Sequence, residues 1–265
     1  MSFWDTLILS IVEGVTEFLP VSSTGHLVLA SHILRLPQTE FLKSFEISIQ
    51  LGAILSVVFL YWSRLVGNFR LCFAVLVAFL PSAFLGFLFY DYIKGVLIGN
   101  ELVTIVALAV GGVVLMFFDQ RSSGHPRSHS VSGGRSGKLE LELGAKEAFL
   151  IGLAQSVSMV PGVSRAGATI VGGMLVGLNR KAAVEFSFLL AVPTMFAATG
   201  LDIVKTRFAF SSDELLLLAV GFVGAFMTAT LAIKFFLGYV QKNSLFAFGV
   251  YRVVLAGLYW LFFLA

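Results

Sequence analysis

The chain has 265 residues, of which 58% are apolar and only 12% are charged, and its formal net charge is +3. A soluble domain contains about 45–50% apolar and about 25% charged residues, so this chain lacks the charge that a water-facing surface requires. The composition therefore excludes a soluble fold, intrinsic disorder and a disulfide scaffold, since Cys72 is the one cysteine, and it predicts a membrane protein with several spans.

The first apolar segment, 1–34, is interrupted by the sequence EGVTEFLPVSSTGH at 13–26. Proline breaks the hydrogen-bond ladder of a helix, and irregular backbone persists in a bilayer only where it is buried in protein or lines a wet cavity. We therefore predict a re-entrant helix–loop–helix hairpin that enters and leaves on the same side. Three apolar stretches follow at 44–62, 69–90 and 101–118, each with roughly the 20 residues that a helical span needs.

The middle of the chain is predicted to be a flexible cytoplasmic linker over 119–145, because residues 122–137 are mostly serine and glycine. A second interrupted segment, 146–177, contains QSVSMVPGVSRAGAT and predicts a second re-entrant hairpin. Three further spans are expected after it. Their ranges are 182–200, 214–236 and 246–264.

The two halves, 1–118 and 146–265, are predicted to be repeats. An offset of 142 positions aligns Val21-Ser22 with Val163-Ser164 and Gly25 with Gly167. Because each repeat has three spans, an odd number, the second repeat must be inverted relative to the first. The predicted fold class is thus an all-α polytopic membrane protein with six transmembrane helices and two re-entrant hairpins in an inverted-topology repeat.

The distribution of Lys and Arg gives the predicted orientation. Eleven of these residues flank the spans on the side of the linker and five flank them on the other side, which places the linker in the cytoplasm. The first hairpin then opens toward the outer face.

Two acidic residues of the first hairpin, Glu13 and Glu17, are spaced i,i+4, so they lie on one helix face about 6 Å apart. Two bare carboxylates repel each other, so one takes up a proton or a divalent cation binds both. Mg²⁺ is commonly held by one or two carboxylates plus substrate phosphate. The pattern therefore predicts metal binding or acid–base work, and the alternative is a protonated pair in the core.

The hydroxyl residues Ser22, Ser23 and Thr24 follow the proline, and His26 comes three residues after Ser23. If a helix begins near Ser23, its hydroxyl and the His26 ring share a face, and this pair is the minimum for an activated nucleophile. The alternative is a helix N-cap.

The second hairpin carries Arg165 among small residues, in the sequence PGVSRAGAT. Small residues let backbone N–H groups approach a ligand, helix N-termini favour anions, and the guanidinium fork matches phosphate oxygens. We therefore predict phosphate binding, with an ion pair to Glu13 or Glu17 as the alternative. Arg252, about 10 Å into the last span, is expected to snorkel toward the cytoplasmic edge.

The segments EGVTEFLPVSSTGH and PGVSRAGAT, one in each half, resemble the two signature regions of the bacitracin-resistance-type undecaprenyl-diphosphate phosphatases. The resemblance covers nearly the whole chain, including EFSFLLAVPTM at 185–195 and YRVVLAG at 251–257. It implies an enzyme of the bacterial inner membrane whose active site opens toward the periplasm. Such an enzyme removes the terminal phosphate of undecaprenyl diphosphate, recycles the carrier for peptidoglycan synthesis and confers bacitracin resistance.

The resemblance also implies roles for individual residues. The expected catalytic residues are Glu13, Glu17, Ser23, His26 and Arg165, with Glu13 and Glu17 as ligands of a divalent cation, Mg²⁺ or Ca²⁺. The expected phosphate-binding residues are Ser22, Thr24, Gly162, Ser164, Arg165, Gly167 and Thr169. Position 166 is Ala, where the family pattern usually has Ser.

Two other classes remain open at this point. The first is an inverted-repeat transporter or polyprenyl-phosphate flippase, which shares the predicted architecture. The second is an intramembrane serine protease that uses Ser23 and His26. The expected partners are a polyprenyl diphosphate and membrane lipids, without nucleic acid, and a homo-oligomer is compatible with the sequence but not implied by it.

Overall fold

The computed structural model describes residues 1–37, 39–97, 100–122, 143–205 and 210–263, and this part of the chain is helical, without β-strands. In the first half, α1 is Phe3–Thr16, α2 is Ser23–Ile33, α3 is Glu40–Gly67, α4 is Phe69–Leu88 and α5 is Glu101–Ser122. Short helical turns cover Tyr90–Tyr92 and Ile93–Leu97. In the second half, α6 is Ala145–Ser156, α7 is Arg165–Leu175, α8 is Arg180–Lys205, α9 is Ser212–Lys242 and α10 is Phe246–Phe263, with a 3₁₀ turn at Val157–Met159.

Five of the described helices are long and apolar enough to cross a membrane. They are α3, α4, the Glu101–Phe118 part of α5, the Arg180–Gly200 part of α8, and α9. The apolar part of α10, Phe246–Phe262, is shorter. Large apolar side chains lie on the outside of these helices, among them Phe69 and Phe87, which are 84% and 78% exposed. The part of the chain that the structure describes is therefore all-helical, and the chain is a polytopic membrane protein, as its composition predicted.

The predicted linker, 119–145, falls mainly on residues outside the described ranges. Of this segment, α5 includes the first four positions and ends at Ser122, while α6 begins at Ala145. The boundaries of the two predicted halves stay a prediction.

The backbones of the two interrupted segments match at the 142-residue offset. Helices α2 and α7 begin and end at equivalent positions. Each is preceded by a serine with positive φ, 72° at Ser22 and 74° at Ser164, and followed by a residue with positive φ, 54° at Arg35 and 100° at Gly177. Left-handed backbone at a residue with a side chain costs of order 1–3 kcal/mol and persists only where the surrounding structure enforces it. Both segments therefore share one backbone design.

The first helix of each interrupted segment packs against a helix from the opposite half. Helix α1 packs on α9, and α6 packs on α4. Both contacts depend on glycine: a Cβ at Gly14 would come within 2.7 Å of the Ala225 carbonyl oxygen, and a Cβ at Gly152 would come within 2.9 Å of the Ala78 carbonyl carbon. Small residues let helix backbones approach closely in a membrane. The two halves therefore pack closely beside the two helix breaks, residues 17–22 and 157–164.

Candidate active site

Glu17 lies at the centre of the candidate site, in the turn that follows α1. Ser23 Oγ donates a hydrogen bond of 2.6 Å to Glu17 Oε2, and Arg165 Nη2 donates one of 2.6 Å to Glu17 Oε1. Ser23 and Arg165 are the first residues of α2 and α7, and they are equivalent at the 142-residue offset. The starts of two related helices thus converge on one carboxylate, and the ion pair anticipated for Arg165 forms with Glu17.

Arg165 is held on several sides, and its Nε donor is unpaired in the part of the chain that the structure describes. Its Nη1 donates to the Ser187 carbonyl oxygen at 3.0 Å, and its guanidinium carbon lies 5.8 Å from the centre of the Phe18 ring. Its buried Nε has no hydrogen-bond partner among the described residues. The side chain is therefore fixed in place, with its Nε–H left without an acceptor among the described residues.

Thr169 stabilises the residues around Arg165. Its hydroxyl contacts Ser187 Oγ at 2.6 Å and donates to the Arg165 carbonyl oxygen at 2.9 Å, and the residue is buried. It was expected to bind phosphate directly, but its hydrogen bonds are made to α7 and α8. By bonding the Ser187 hydroxyl, Thr169 holds the part of α8 whose Ser187 carbonyl oxygen accepts from Arg165.

Glu13 is fully buried one turn before Glu17 on α1, and neither of its carboxylate oxygens has a hydrogen-bond partner in the described part of the chain. The carboxyl groups of Glu17 and Glu46 and the guanidinium of Arg165 act on it electrostatically. Within the described ranges, no cluster of three or more His, Cys, Asp and Glu side chains is placed to hold a metal ion. A cation here would need ligands besides Glu13 and Glu17.

His26 is not paired with Ser23, contrary to the expectation from their spacing. Its Nδ1 lies 2.8 Å from the Ser22 carbonyl oxygen, and its Nε2 lies 2.7 Å from the Tyr251 hydroxyl. The carbonyl can only accept, so the hydrogen-bond pattern assigns the ring proton to Nδ1 and makes Nε2 the acceptor from Tyr251. The two rings also stack, with centroids 5.6 Å apart.

Sequence reasoning missed Tyr251, which belongs to α10 and is 45% exposed. The sequence did contain a clue, because Tyr251 is the first residue of YRVVLAG, a segment that supports the family resemblance. The resemblance assigned no role to this tyrosine.

The remaining predicted phosphate ligands occupy the helix starts. Ser164 Oγ accepts from the Gly167 N–H at 3.1 Å, so this amide is already engaged. Ser22, its equivalent, makes no capping hydrogen bond with its side chain, which leaves the start of α2 without a side-chain cap. Thr24 is exposed there. Gly162 has a φ of 93°, a left-handed conformation that favours glycine.

The position of Arg252 also differs from the prediction. It does not snorkel to a membrane edge, since it is 1% exposed and its guanidinium binds backbone carbonyls beside both helix breaks. Depth along the helix predicted snorkelling, because it gave no information about polar partners inside the protein.

Comparison with known proteins identifies the family. The family model described as "Bacitracin resistance protein BacA" matches residues 6–258. The chain is 48% identical over 264 residues to an undecaprenyl-diphosphatase of Aquifex aeolicus and 47% identical over 267 residues to one of Persephonella marina, with all of each protein covered. It is 45% identical to an undecaprenyl-diphosphatase of Thermus thermophilus, over all of this chain and 98% of the relative. The chain belongs to the BacA family.

Proposed function

We propose that this protein is an undecaprenyl-diphosphate phosphatase, which hydrolyses the terminal phosphate of the lipid carrier and releases undecaprenyl phosphate and inorganic phosphate. The full-length relatives are named undecaprenyl-diphosphatases. The observation that carries the proposal is the convergence of a serine hydroxyl and a guanidinium on one buried carboxylate. This set combines a nucleophile, a base and an anion-binding group.

Glu17 is the proposed base for Ser23. The Ser23 O–H already points at Glu17 Oε2, so the carboxylate accepts this proton as Ser23 Oγ bonds to the terminal phosphorus. The bond from that phosphorus to the bridging oxygen breaks, and undecaprenyl phosphate leaves. Water then cleaves the phosphoserine and releases phosphate. In a one-step alternative, water replaces Ser23 as the nucleophile and Glu17 takes its proton.

Arg165 is the proposed anion-binding residue. The charge of a transferring phosphoryl group spreads over its oxygens, and catalysis depends chiefly on positioning and stabilising that charge. The unpartnered Nε–H supplies a donor without disturbing the contacts to Glu17 and Ser187. The start of α2, which lacks a side-chain cap, adds backbone N–H groups of the kind that bind phosphate.

Glu13 and Glu17 are the proposed ligands of a divalent cation, Mg²⁺ or Ca²⁺. The two unpartnered oxygens of Glu13 fit such an ion, because carboxylate oxygens are the donors that these hard cations prefer. Each oxygen of Glu17 accepts one hydrogen bond and keeps a second lone pair. When bound, the cation would complete its shell with substrate oxygens and neutralise part of the diphosphate charge.

The proposed architecture is six spans plus two re-entrant hairpins, arranged as an inverted repeat in the bacterial inner membrane. Helices α2 and α7 have 11 residues each, about 16 Å of helix, which is half of what a bilayer core requires. Three spans per half make the second repeat inverted, and the excess of Lys and Arg on the linker side orients the site toward the periplasm.

Phosphate release from a purified polyprenyl diphosphate tests the function. The wild-type protein in detergent should release phosphate, and EDTA and Arg165→Ala should each abolish the release. The matched control is Arg180→Gln, since Arg180 begins α8 and makes an exposed contact to the Asn243 carbonyl oxygen. A wild-type protein that moves the lipid across vesicles and releases no phosphate would instead identify a flippase, a function that neither the buried Ser23–Glu17 pair nor the relatives' name favours.

A further inference from the structure

Arg252, which the mechanism above does not use, makes the most extensive side-chain contact in the neighbourhood of the site. Its guanidinium directs five hydrogen bonds to five backbone carbonyl oxygens. These bonds run from Nε to Leu108 at 3.3 Å, from Nη1 to Pro20 at 3.2 Å and Val163 at 3.0 Å, and from Nη2 to Ala107 at 3.2 Å and Gly162 at 2.8 Å. Arginine is the side chain that carries five N–H donors in one plane, so its full donor capacity is used.

Two of these carbonyls are related by the repeat. Pro20 and Gly162 are equivalent at the 142-residue offset, and each lies three residues before the residue that contacts Glu17, namely Ser23 and Arg165. Arg252 therefore bonds the same point of both helix breaks with one rigid group. Carbonyls released by a helix break need a donor inside a membrane protein, and this side chain supplies it to both breaks at once.

The surrounding helices are shaped to hold the guanidinium. A Cβ at Gly111 would come within 2.8 Å of the Arg252 guanidinium carbon, and a Cβ at Gly167 would come within 3.3 Å of Nη1. Helices α5 and α10 approach closely beside it, because a Cβ at Gly249 would lie 2.6 Å from the Gly112 carbonyl oxygen. A side chain at Gly111 or Gly167 would therefore take up space that the guanidinium occupies.

The charge of Arg252 is not needed to pair with an acid, since none of the ion pairs among the described residues includes it. A buried cation without a carboxylate is costly, and ionisable groups at membrane depth are typically functional. We propose that Arg252 is a positioning residue for phosphate release: it ties the two helix breaks together, so that Ser23 and Arg165 meet Glu17 in reactive alignment. This inference rests on the proposed phosphatase function.

The test compares Arg252→Lys and Arg252→Gln in the full-length protein, with phosphate release from a polyprenyl diphosphate as the readout. Misalignment of reacting groups by about 1 Å costs about 100-fold in rate, so we expect kcat to fall about 100-fold in both variants. KM should change by less than about threefold, because Arg165 still binds the anion. Lysine should not rescue, since a point charge cannot span both breaks as the fork does. Arg180→Gln, the matched loss of an arginine–carbonyl contact, should keep the wild-type kcat.

Gly111→Ala keeps Arg252 but displaces its guanidinium, because the added Cβ would occupy part of its position. This variant therefore tests the positioning role even if the Arg252 variants do not fold. It should lower kcat at an unchanged KM in a folded protein. The proposal is overturned if Arg252→Gln or Gly111→Ala keeps kcat within threefold of wild type. It is also overturned if the loss lies in KM and lysine restores it, since that pattern marks direct substrate binding. An inactive wild-type protein would instead count against the phosphatase function itself.

Discussion

Replacing Glu17 with glutamine should inactivate the enzyme while leaving most of its structure in place. Each carboxylate oxygen of Glu17 accepts one hydrogen bond, from Ser23 at Oε2 and from Arg165 at Oε1. An amide offers one acceptor atom, and its NH₂ group can only donate. If the amide oxygen of Glu17→Gln faces Arg165, Ser23 Oγ can only accept from the amide NH₂ and its proton loses its acceptor. If the amide is turned the other way, the guanidinium faces a donor.

The magnitude follows from the chemistry and the burial of the pair. Loss of a general base lowers the rate by about 10²–10⁴-fold, so we expect kcat to fall at least about 100-fold. The side chains of Arg165 and Glu17 are only 11% and 6% exposed, so solvent does little to screen their interaction. A hydrogen bond to a charged group contributes about 1.5–3 kcal/mol, and glutamine replaces the charged acceptor of Arg165 with a neutral one, so the free energy of unfolding should fall by about that amount.

The assay pairs phosphate release with thermal unfolding in detergent. Glu40→Gln is the matched control, since the Glu40 side chain is 77% exposed, and it should leave both measurements unchanged. The double variant Glu17→Gln, Arg165→Gln should recover part of the stability lost in Glu17→Gln, because it removes the uncompensated charge. A Glu17→Gln enzyme with more than about a tenth of the wild-type kcat would refute the role of Glu17 as base.

Three further predictions follow from the same contacts. Ser23→Ala should abolish ³²P trapping on the protein and lower kcat at least about 100-fold, whereas Ser244→Ala, at an exposed serine between α9 and α10, should do neither; an active Ser23→Ala enzyme would establish direct attack by water. Tyr251→Phe keeps the ring stack on His26 but removes the hydrogen bond to Nε2. Because such a bond contributes about 1.5 kcal/mol, kcat should fall about tenfold. An unchanged kcat would contradict a role for the His26–Tyr251 pair. Glu13→Gln should raise the Mg²⁺ concentration for half-maximal phosphate release at least about tenfold, and an unchanged Mg²⁺ dependence would remove Glu13 from the metal site.

The helix breaks could be predicted from the sequence because their causes are local. Pro20 and the hydroxyl residues after it interrupt one apolar segment, and Pro161-Gly162 interrupts the other. The offset of 142 residues was also visible in the sequence, and it reappears in the positive φ angles of Ser22 and Ser164. The pairing of Ser23 with His26 was wrong, because Ser23 is the first residue of α2 and its hydroxyl reaches back to the preceding turn, where Glu17 lies.

The sequence by itself determined the membrane class, the position of both breaks and the identity of the acidic and basic residues beside them, since these depend on composition and on neighbours along the chain. Only the tertiary structure decided that Glu17 joins Ser23 to Arg165, that Tyr251 holds His26, and that Arg252 is buried against both breaks. Apart from Glu17 and Ser23, these partners lie far apart in the chain and meet through the packing of α5, α7 and α10. A side chain at membrane depth must find polar partners, but which partners it finds depends on helix packing that no local pattern encodes.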